Sequence, residues 1–188
     1  MGTSKVEPMV DRRRVEVEDQ AARADAFRAL ADRHLDASYR LAQVILGQRA
    51  EAEDATHDAF VTAWRKWSTL RDPELFEHWF DRILVNTCRN RLRHVSRRRT
   101  EDLSADIEFV TSDPFEPMHD RGQLWPAMAT LSPDQRVIVA LRFYRDLSID
   151  QIADRVGVRA GTVKSRLHRA LRALRISLDQ ADPSRTLR

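Results

Sequence analysis

The chain has 188 residues, enough for one large domain or two small ones, and 42% of them are hydrophobic, enough to bury a core. Its net charge is only +3, although 32% of the residues are charged, so any strongly basic or acidic surface must come from uneven distribution. Cys88 is the only cysteine, which excludes an intrachain disulfide and fits a reducing cytoplasm. Because no apolar run approaches the ~20 residues of a membrane helix, we expect a soluble, cytoplasmic protein without a membrane contact.

The N-terminal part of the chain predicts a flexible arm followed by a long helix. Residues 1–24 are charged and lack regular apolar spacing, which is typical of an arm. Apolar residues then recur at three- and four-residue steps from Phe27 through Leu35 to Ile45. Gly47 is placed to end this helix, because glycine adopts the left-handed conformation that closes a helix.

Two further helices complete a small N-terminal bundle over residues 25–99. One carries alanines and aromatic residues on a single side, from Ala52 to Trp67. The other begins at Asp72-Pro73-Glu74, where an acid caps the helix and proline takes its first position. Cys88 lies among the apolar positions of this last helix and is predicted to be a small core residue.

An acidic segment separates two basic blocks. Residues 82–99 hold seven arginines and no acid, residues 100–123 hold seven acids and one arginine, and residues 124–178 hold ten basic residues and four acids. The acidic segment also contains two prolines and no apolar stripe, so we predict a linker. The flanking basic blocks indicate two contacts with nucleic acid on one chain.

Residues 124–178 predict a second helical domain, which a short tail, 179–188, follows. Ser132-Pro133-Asp134-Gln135 and Ser148-Ile149-Asp150-Gln151 are capping boxes that open two helices. Gly157 supplies a turn with positive φ before a final helix, and this spacing is that of a helix-turn-helix. The final helix has one apolar stripe, made of Val163, Leu167, Ala170, Leu171 and Leu174, and a basic opposite face suited to the major groove of DNA.

No segment shows the alternating pattern of a strand, so the predicted fold is all-α: two small helical domains joined by an acidic linker, the C-terminal one a helix-turn-helix. Three stretches of the sequence are distinctive: AEDATHDAFVTAW from Ala52 to Trp64, WFDRILVNTCRNRLR from Trp79 to Arg93, and GTVKSRLHRA from Gly161 to Ala170. In content and in order, these stretches resemble those of the extracytoplasmic-function sigma factors of bacteria.

The resemblance implies a promoter-specificity subunit with one surface for RNA polymerase and two for promoter DNA. It assigns residues 25–99 to core-polymerase binding and to the promoter −10 element, and residues 124–178 to the −35 element. The implied contacts with the clamp helices of the core enzyme are Asp54, Asp58, Phe60 and Trp64. For the −10 element they are Lys66, Trp67, Asn86, Arg89, Asn90 and Arg93, with the loop from Lys66 to Asp72 holding an extruded base, and for the −35 element they are Arg159, Thr162, Lys164, Ser165, Arg166 and Arg169.

The same resemblance implies an anti-sigma protein as a further partner and no cofactor. Free protein is expected to bind DNA weakly, because its promoter contacts are split between two domains on a flexible linker.

Three alternatives remain at this stage. A helix-turn-helix regulator independent of the polymerase core has no need of the acidic, aromatic helix from Glu51 to Trp67. An enzyme is disfavoured because the six histidines are scattered, no metal-binding motif appears and no glycine-rich phosphate loop exists. An adaptor acting only through protein contacts is disfavoured by the two arginine-rich blocks.

Overall fold

Three long helices form the N-terminal domain. The structure, a computed structural model, describes the backbone of residues 12–101 and 121–181 and the side chains of residues 20–95 and 124–181. Helix α1 spans Arg12–Leu46, α2 spans Arg49–Arg65 and α3 spans Phe76–Glu101, with two short 3₁₀ turns at Trp67–Thr69 and Pro73–Leu75 between α2 and α3. Gly47 closes α1 with φ +81°, as its position predicts. Asp72 caps the start of α3's segment by accepting a hydrogen bond from the Glu74 amide at 3.0 Å.

Four helices form the C-terminal domain. They are α4 (Arg121–Ala129), α5 (Pro133–Phe143), α6 (Ile149–Val156) and α7 (Ala160–Ala181). Both predicted capping boxes are present, so the amides of Gln135 and Gln151 donate to the hydroxyls of Ser132 and Ser148 while the glutamine side chains accept from the serine amides. Gly157 adopts φ +69° between α6 and α7 and gives the turn of the helix-turn-helix.

The two domains pack directly on each other. Helix α3 contacts α5 and α6, and α1 contacts α5. One continuous buried cluster therefore joins Leu41, Ile45 and Leu84 of the N-terminal domain to Ile138 and Leu141 of α5. A second, smaller cluster under α4, α5 and α7 includes Met128, Leu131, Ala170 and Leu174. The sequence predicts the cores of the two domains, whereas it does not predict that they merge.

The structure corrects the predicted start of α1 and the predicted burial of two leucines. Residues 12–24, assigned to a flexible arm, are helical and extend α1, because this stretch contains neither proline nor glycine to stop a helix. Leu35 and Leu171, assigned to buried stripes, are exposed at 46% and 41% because each lies at the edge of its stripe. The acidic linker falls mostly on residues 102–120, outside the described residues, as do residues 1–11 and 182–188.

Within the described ranges the elements are helices and turns, in agreement with the all-α prediction. None of the helices in that part of the chain has the length and apolar character needed to cross a membrane.

Candidate nucleic-acid interface

The outer side of α2 is acidic and faces one cation of α3. The carboxylates of Asp54 and Asp58 are exposed, at 70% and 56% of the side chain. Arg91 of α3 reaches across to them: its Nη1 lies 2.9 Å from Glu51 and 3.7 Å from Asp54, and its Nη2 lies 2.6 Å from Asp58. Burial alone would lower the pKa of Arg91, but hydrogen bonds to Asp58 and Glu51 raise it. The acids implied to bind the polymerase thus share a cation that sequence reasoning did not single out.

The aromatic residues beside this surface divide between core and solvent. Phe60 is partly buried and stacks on Phe80 with ring centroids 4.3 Å apart, so it supports the core of the domain. Trp64 is 44% exposed and rests edge-on against Phe27 at 5.2 Å. Of these two implied polymerase contacts, Trp64 presents the larger accessible surface.

The loop after α2 contains the first two residues implied for the −10 element. Lys66 is exposed, whereas Trp67 is partly buried in an aromatic cluster with Phe27, Phe76 and Trp79 at centroid distances of 5.3, 6.2 and 6.5 Å. Trp67 therefore anchors the loop to the domain, and only its remaining exposed edge is open to a ligand.

The polar face of α3 contains the other four residues implied for the −10 element. Asn86, Asn90 and Arg93 are exposed. Arg89 is only 13% exposed, and burial lowers the pKa of its guanidinium. Its Nε lies 3.2 Å from Asp134 of α5, and its Nη1 donates to Asn86 at 3.4 Å. Arg89, which is expected to contact promoter DNA, is thus paired with a carboxylate of the C-terminal domain.

The recognition helix α7 displays most of its implied contacts to solvent. Arg159, Lys164, Ser165 and Arg169 are exposed, and Thr162 is intermediate. Val163 and Ala170 are fully buried beneath them, so the helix has the two-sided character of a major-groove reader. Arg166 is the exception, because its Nη1 binds Asp134 at 3.0 Å and its side chain is 27% exposed.

Asp134 connects the two candidate DNA surfaces. It lies in the first turn of α5 and is paired with Arg89 and Arg93 of α3, both at 3.2 Å, and with Arg166 of α7 at 3.0 Å. The positive end of the α5 dipole also favours a carboxylate at this position. Three residues implied to contact the promoter therefore pair with one carboxylate. Two of them, Arg89 and Arg93, belong to the −10 set, and Arg166 belongs to the −35 set.

A second ionic cluster holds α3 against the helix-turn-helix. Asp81 is 1% exposed and receives Nη2 of Arg145 at 3.0 Å and Nε of Arg155 at 3.3 Å. Glu77 adds a contact to Arg145 at 3.1 Å, and His78 pairs with Asp154. Burial raises the pKa of Asp81, an effect that the two guanidiniums oppose. The signal in the sequence is that Asp81 shares a helical stripe with the buried Phe80, Leu84 and Val85.

Two more contacts close the seam between the domains. Arg136 of α5 is buried and donates to the carbonyl of Ile45 at 3.5 Å, near the carboxyl end of α1, and to the carbonyl of Ala129 at 3.2 Å. Trp125 of α4 lies so close to Gly47 that a Cβ added there would meet its ring at 2.9 Å. A groove of about 460 Å³ runs along this seam, lined among others by Leu46, Arg91 and Leu131.

The described residues contain no group of three or more histidines, cysteines or acids arranged to hold a metal ion. The described surfaces are charged and aromatic.

Comparison with known proteins assigns both domains. The family model for sigma-70 region 2 matches residues 30–98, and the model for sigma-70 region 4 matches residues 121–174. The ECF RNA polymerase sigma factor SigL of Mycobacterium tuberculosis is 33% identical over 169 residues, which are 88% of this chain and 96% of that protein. RNA polymerase sigma factor SigV of Bacillus subtilis is 34% identical over 151 residues, 80% of this chain and 90% of that protein.

Solved structures give the same fold. The sigma factor RpoE of Bartonella quintana, in complex with the anti-sigma factor NepR, matches with a TM-score of 0.68 and 27% identity, over 81% of this chain and 96% of that one. CnrH, in complex with the cytosolic domain of CnrY, matches with a TM-score of 0.59 and 24% identity, over 87% of this chain and 98% of that one, and supports the fold alone. The chain belongs to the extracytoplasmic-function (ECF) family of RNA polymerase sigma factors.

Proposed function

We propose that this sigma factor directs promoter-specific transcription through three surfaces, each with its own partner. Residues 25–99 form the domain for core polymerase and the −10 element, and residues 124–178 form the domain for the −35 element. Sigma factors are initiation factors, and we infer that this one works in the cytoplasm by binding, without catalysis of its own.

The polymerase surface is the acidic side of α2. Asp54 and Asp58 are exposed beside Trp64, and such a surface repels DNA phosphates while it suits a basic protein partner. This placement is the observation that carries the proposal, because a regulator that binds DNA alone gains nothing from an acidic helix packed next to its DNA-binding helix. Phe60 stacks on Phe80 in the core beneath this surface.

The −10 surface combines α3 with the loop from Lys66 to Asp72. Melting of a promoter requires a cationic track for the displaced strand and a pocket for an unstacked base. Asn86, Asn90 and Arg93 supply polar and cationic groups on one exposed side of α3, and Lys66 adds a cation at the loop. Trp67 holds the loop in position through its aromatic neighbours.

The −35 surface is the exposed side of α7. Arginine recognises guanine through two parallel hydrogen bonds, whereas lysine and serine more often position the protein on phosphate. We therefore assign base contacts to Arg166 and Arg169, and phosphate contacts to Arg159, Thr162, Lys164 and Ser165. Because RpoE of Bartonella quintana was solved with the anti-sigma factor NepR, we also propose an anti-sigma protein as the inhibitor of this chain.

The test is run-off transcription with bacterial core enzyme on genomic promoter fragments. We expect discrete transcripts only when the protein is added, and their loss in Asp54→Lys/Asp58→Lys together with loss of co-elution with core. Asp32→Lys/Asp36→Lys is the matched control, since it makes the same charge change on exposed residues of α1.

Arg91→Gln separates two explanations for that loss. It removes the shared cation but leaves both acids in place, so transcription should persist if the acids contact the polymerase directly. Absence of transcripts from the unmodified chain, together with no co-elution, would leave a DNA-binding regulator independent of the polymerase.

A further inference from the structure

Arg91 connects the two surfaces of the N-terminal domain. It lies on α3, the helix proposed for the −10 strand, but its guanidinium reaches three carboxylates of α2, the helix proposed for polymerase. Its Nη1 lies 2.9 Å from Glu51 and 3.7 Å from Asp54, and its Nη2 lies 2.6 Å from Asp58. A cation that belongs by position to the DNA-binding helix is therefore bound by the polymerase surface in the free chain.

The acids of α2 outnumber this cation. Three carboxylates against one guanidinium leave a net charge of −2 on the group. The acid side chains are between 39% and 70% exposed, and ion pairs at such exposure are weak because water and salt screen them. A basic protein surface that binds these acids competes directly with Arg91, because cations on the same carboxylates repel each other.

A released Arg91 has a second group to bind. On α3 the exposed side chains Asn86, Asn90 and His94 follow one another at four-residue steps and form one stripe. Arg91 precedes His94 by three positions, so these two side chains are neighbours on the helix surface. A guanidinium freed from α2 can therefore turn toward a phosphate of a strand that lies along this stripe, and the planar fork of arginine suits phosphate oxygens.

We propose that Arg91 couples polymerase binding to promoter binding by exchanging its partners. In the free chain it binds Glu51, Asp54 and Asp58, and when a basic surface of the core enzyme takes these acids, Arg91 moves to a phosphate of the −10 strand. Thermodynamic linkage makes the coupling reciprocal, so the strand tightens binding of core by the same factor by which core tightens binding of the strand. The inference deepens the proposed function and rests on it for the identity of the two partners.

Three substitutions separate partner exchange from other roles of Arg91. Arg91→Gln removes the exchanged cation, and Arg91→Lys keeps its charge. Arg49→Gln is the matched control, because Arg49 pairs with Glu53 of α2 at 2.9 Å. It removes the same charge beside the same helix, from a residue outside α3. Circular dichroism of each variant checks that the helices remain.

The first measurement uses the free chain without polymerase. The chain is titrated over a range of salt with a fluorescent mixed-sequence single strand of about 15 nucleotides. Glu51→Gln/Asp58→Asn removes the two closest acids of Arg91. We expect this variant to bind about fivefold more tightly, with a salt slope steeper by about 0.7, the value of one added phosphate contact on a single strand.

Two further variants decide whether Arg91 causes that gain. Adding Arg91→Gln to Glu51→Gln/Asp58→Asn should abolish both changes, whereas adding Arg91→Lys should retain the steeper slope. Asp32→Asn/Asp36→Asn makes the same charge change on exposed residues of α1 and should give only the small gain of a less negative chain. A gain that survives Arg91→Gln, or an equal gain from the α1 variant, would overturn the exchange.

The second measurement is the affinity of the chain for core enzyme with and without the same strand. The strand should tighten binding of core about fivefold in the unmodified chain and in Arg49→Gln, but not in Arg91→Gln. Any binding of the strand by core itself is common to all variants. Without DNA, Arg91→Gln should bind core more tightly than the unmodified chain, because the acids lose an internal competitor. Weaker binding would show that Arg91 only positions the acids, and would overturn the proposal.

The outcomes distinguish this inference from the proposed function. If Arg91→Gln co-elutes with core and shows the same effect of the strand as the unmodified chain, the exchange is wrong and the sigma-factor assignment stands. If Asp54→Lys/Asp58→Lys still co-elutes with core, the polymerase surface of the proposed function is wrong, whereas the free-chain result for Glu51→Gln/Asp58→Asn stands.

Discussion

Asp81 is a carboxylate in an energetically costly environment. A carboxylate that is 1% exposed loses nearly all of its hydration, and the two guanidiniums of Arg145 and Arg155 only partly offset that loss. Its neighbours on the same helix stripe, Phe80, Leu84 and Val85, are buried and apolar, so their side chains offer it no hydrogen bond. The residue is therefore sensitive both to replacement and to proton binding.

Loss of a cation beside Asp81 should destabilise the chain strongly. Arg145→Gln removes one of the two cations that offset the burial of the Asp81 charge, and breaking a buried ion pair in this way costs about 3 kcal/mol. Urea denaturation measures the loss. Glu77→Gln is the control, because Glu77 also pairs with Arg145 but is half exposed, and it should cost about 0.5 kcal/mol or less. Similar losses for the two variants would show that burial does not govern the cluster.

The pH dependence of stability should carry the signature of Asp81. Because burial raises the pKa of Asp81, the folded chain binds a proton at a higher pH than the unfolded chain does. The contribution of Asp81 to the free energy of unfolding is therefore greatest below the unfolded pKa and declines as the pH rises through the folded pKa. The free energy of unfolding of the unmodified chain should therefore rise relative to that of Asp81→Asn on acidification from neutral pH. A fall would mean that the arginines outweigh burial.

At the scale of elements, the helix ends are where the sequence is most informative. Ser-x-Asp-Gln appears twice in the sequence, and both copies start helices with the predicted pair of hydrogen bonds. Gly47 and Gly157 both end helices with positive φ, as their positions predict. The early start of α1 is not predicted, because residues 12–24 have no apolar stripe and their helix depends on local propensity.

The two helix-ending glycines, Gly47 and Gly157, differ in the space around them. Substitution by alanine should therefore lower the free energy of unfolding by different amounts at the two positions. At Gly157 an added Cβ meets no atom within 4 Å, so Gly157→Ala should cost about 1 kcal/mol for the left-handed backbone alone. At Gly47 an added Cβ meets the Trp125 ring at 2.9 Å as well, so Gly47→Ala should cost about 2–3 kcal/mol. Thermal unfolding gives both values. Equal costs would show that Trp125 moves aside freely.

At the scale of the whole molecule, the packing of the two domains is the feature that sequence reasoning does not supply. The two helical bundles and the helix-turn-helix follow from apolar periodicity and capping signals, which are local. Asp81 and Arg155 are 74 positions apart, and Arg93 and Asp134 are 41 apart, so no local pattern relates them. Of the implied site residues, the structure leaves most on exposed faces but draws Arg89 and Arg166 into the domain seam.

The single thiol reports on this packing as a whole. Cys88 lies in the shared cluster, and burial raises its pKa to about 12. Because the thiolate is the reactive form, labelling of the folded chain by a disulfide reagent at mildly alkaline pH should be slower than that of the unfolded chain by a factor on the order of a thousand. The rate is read from the released chromophore with and without urea. Comparable rates would mean that the cluster opens frequently at equilibrium.

Helix α3 meets a different neighbour on each of its sides. Phe80 and Leu84 fill the core, Arg91 binds the acids of α2, Asp81 is held by the helix-turn-helix, and Arg89 reaches Asp134. A substitution at any of these positions alters folding or the contact between the domains. Laboratory evolution toward new promoters should therefore accumulate its substitutions outside this helix. We expect them in the Lys66–Asp72 loop and on the outer face of α7, where side chains make fewer contacts with the rest of the chain.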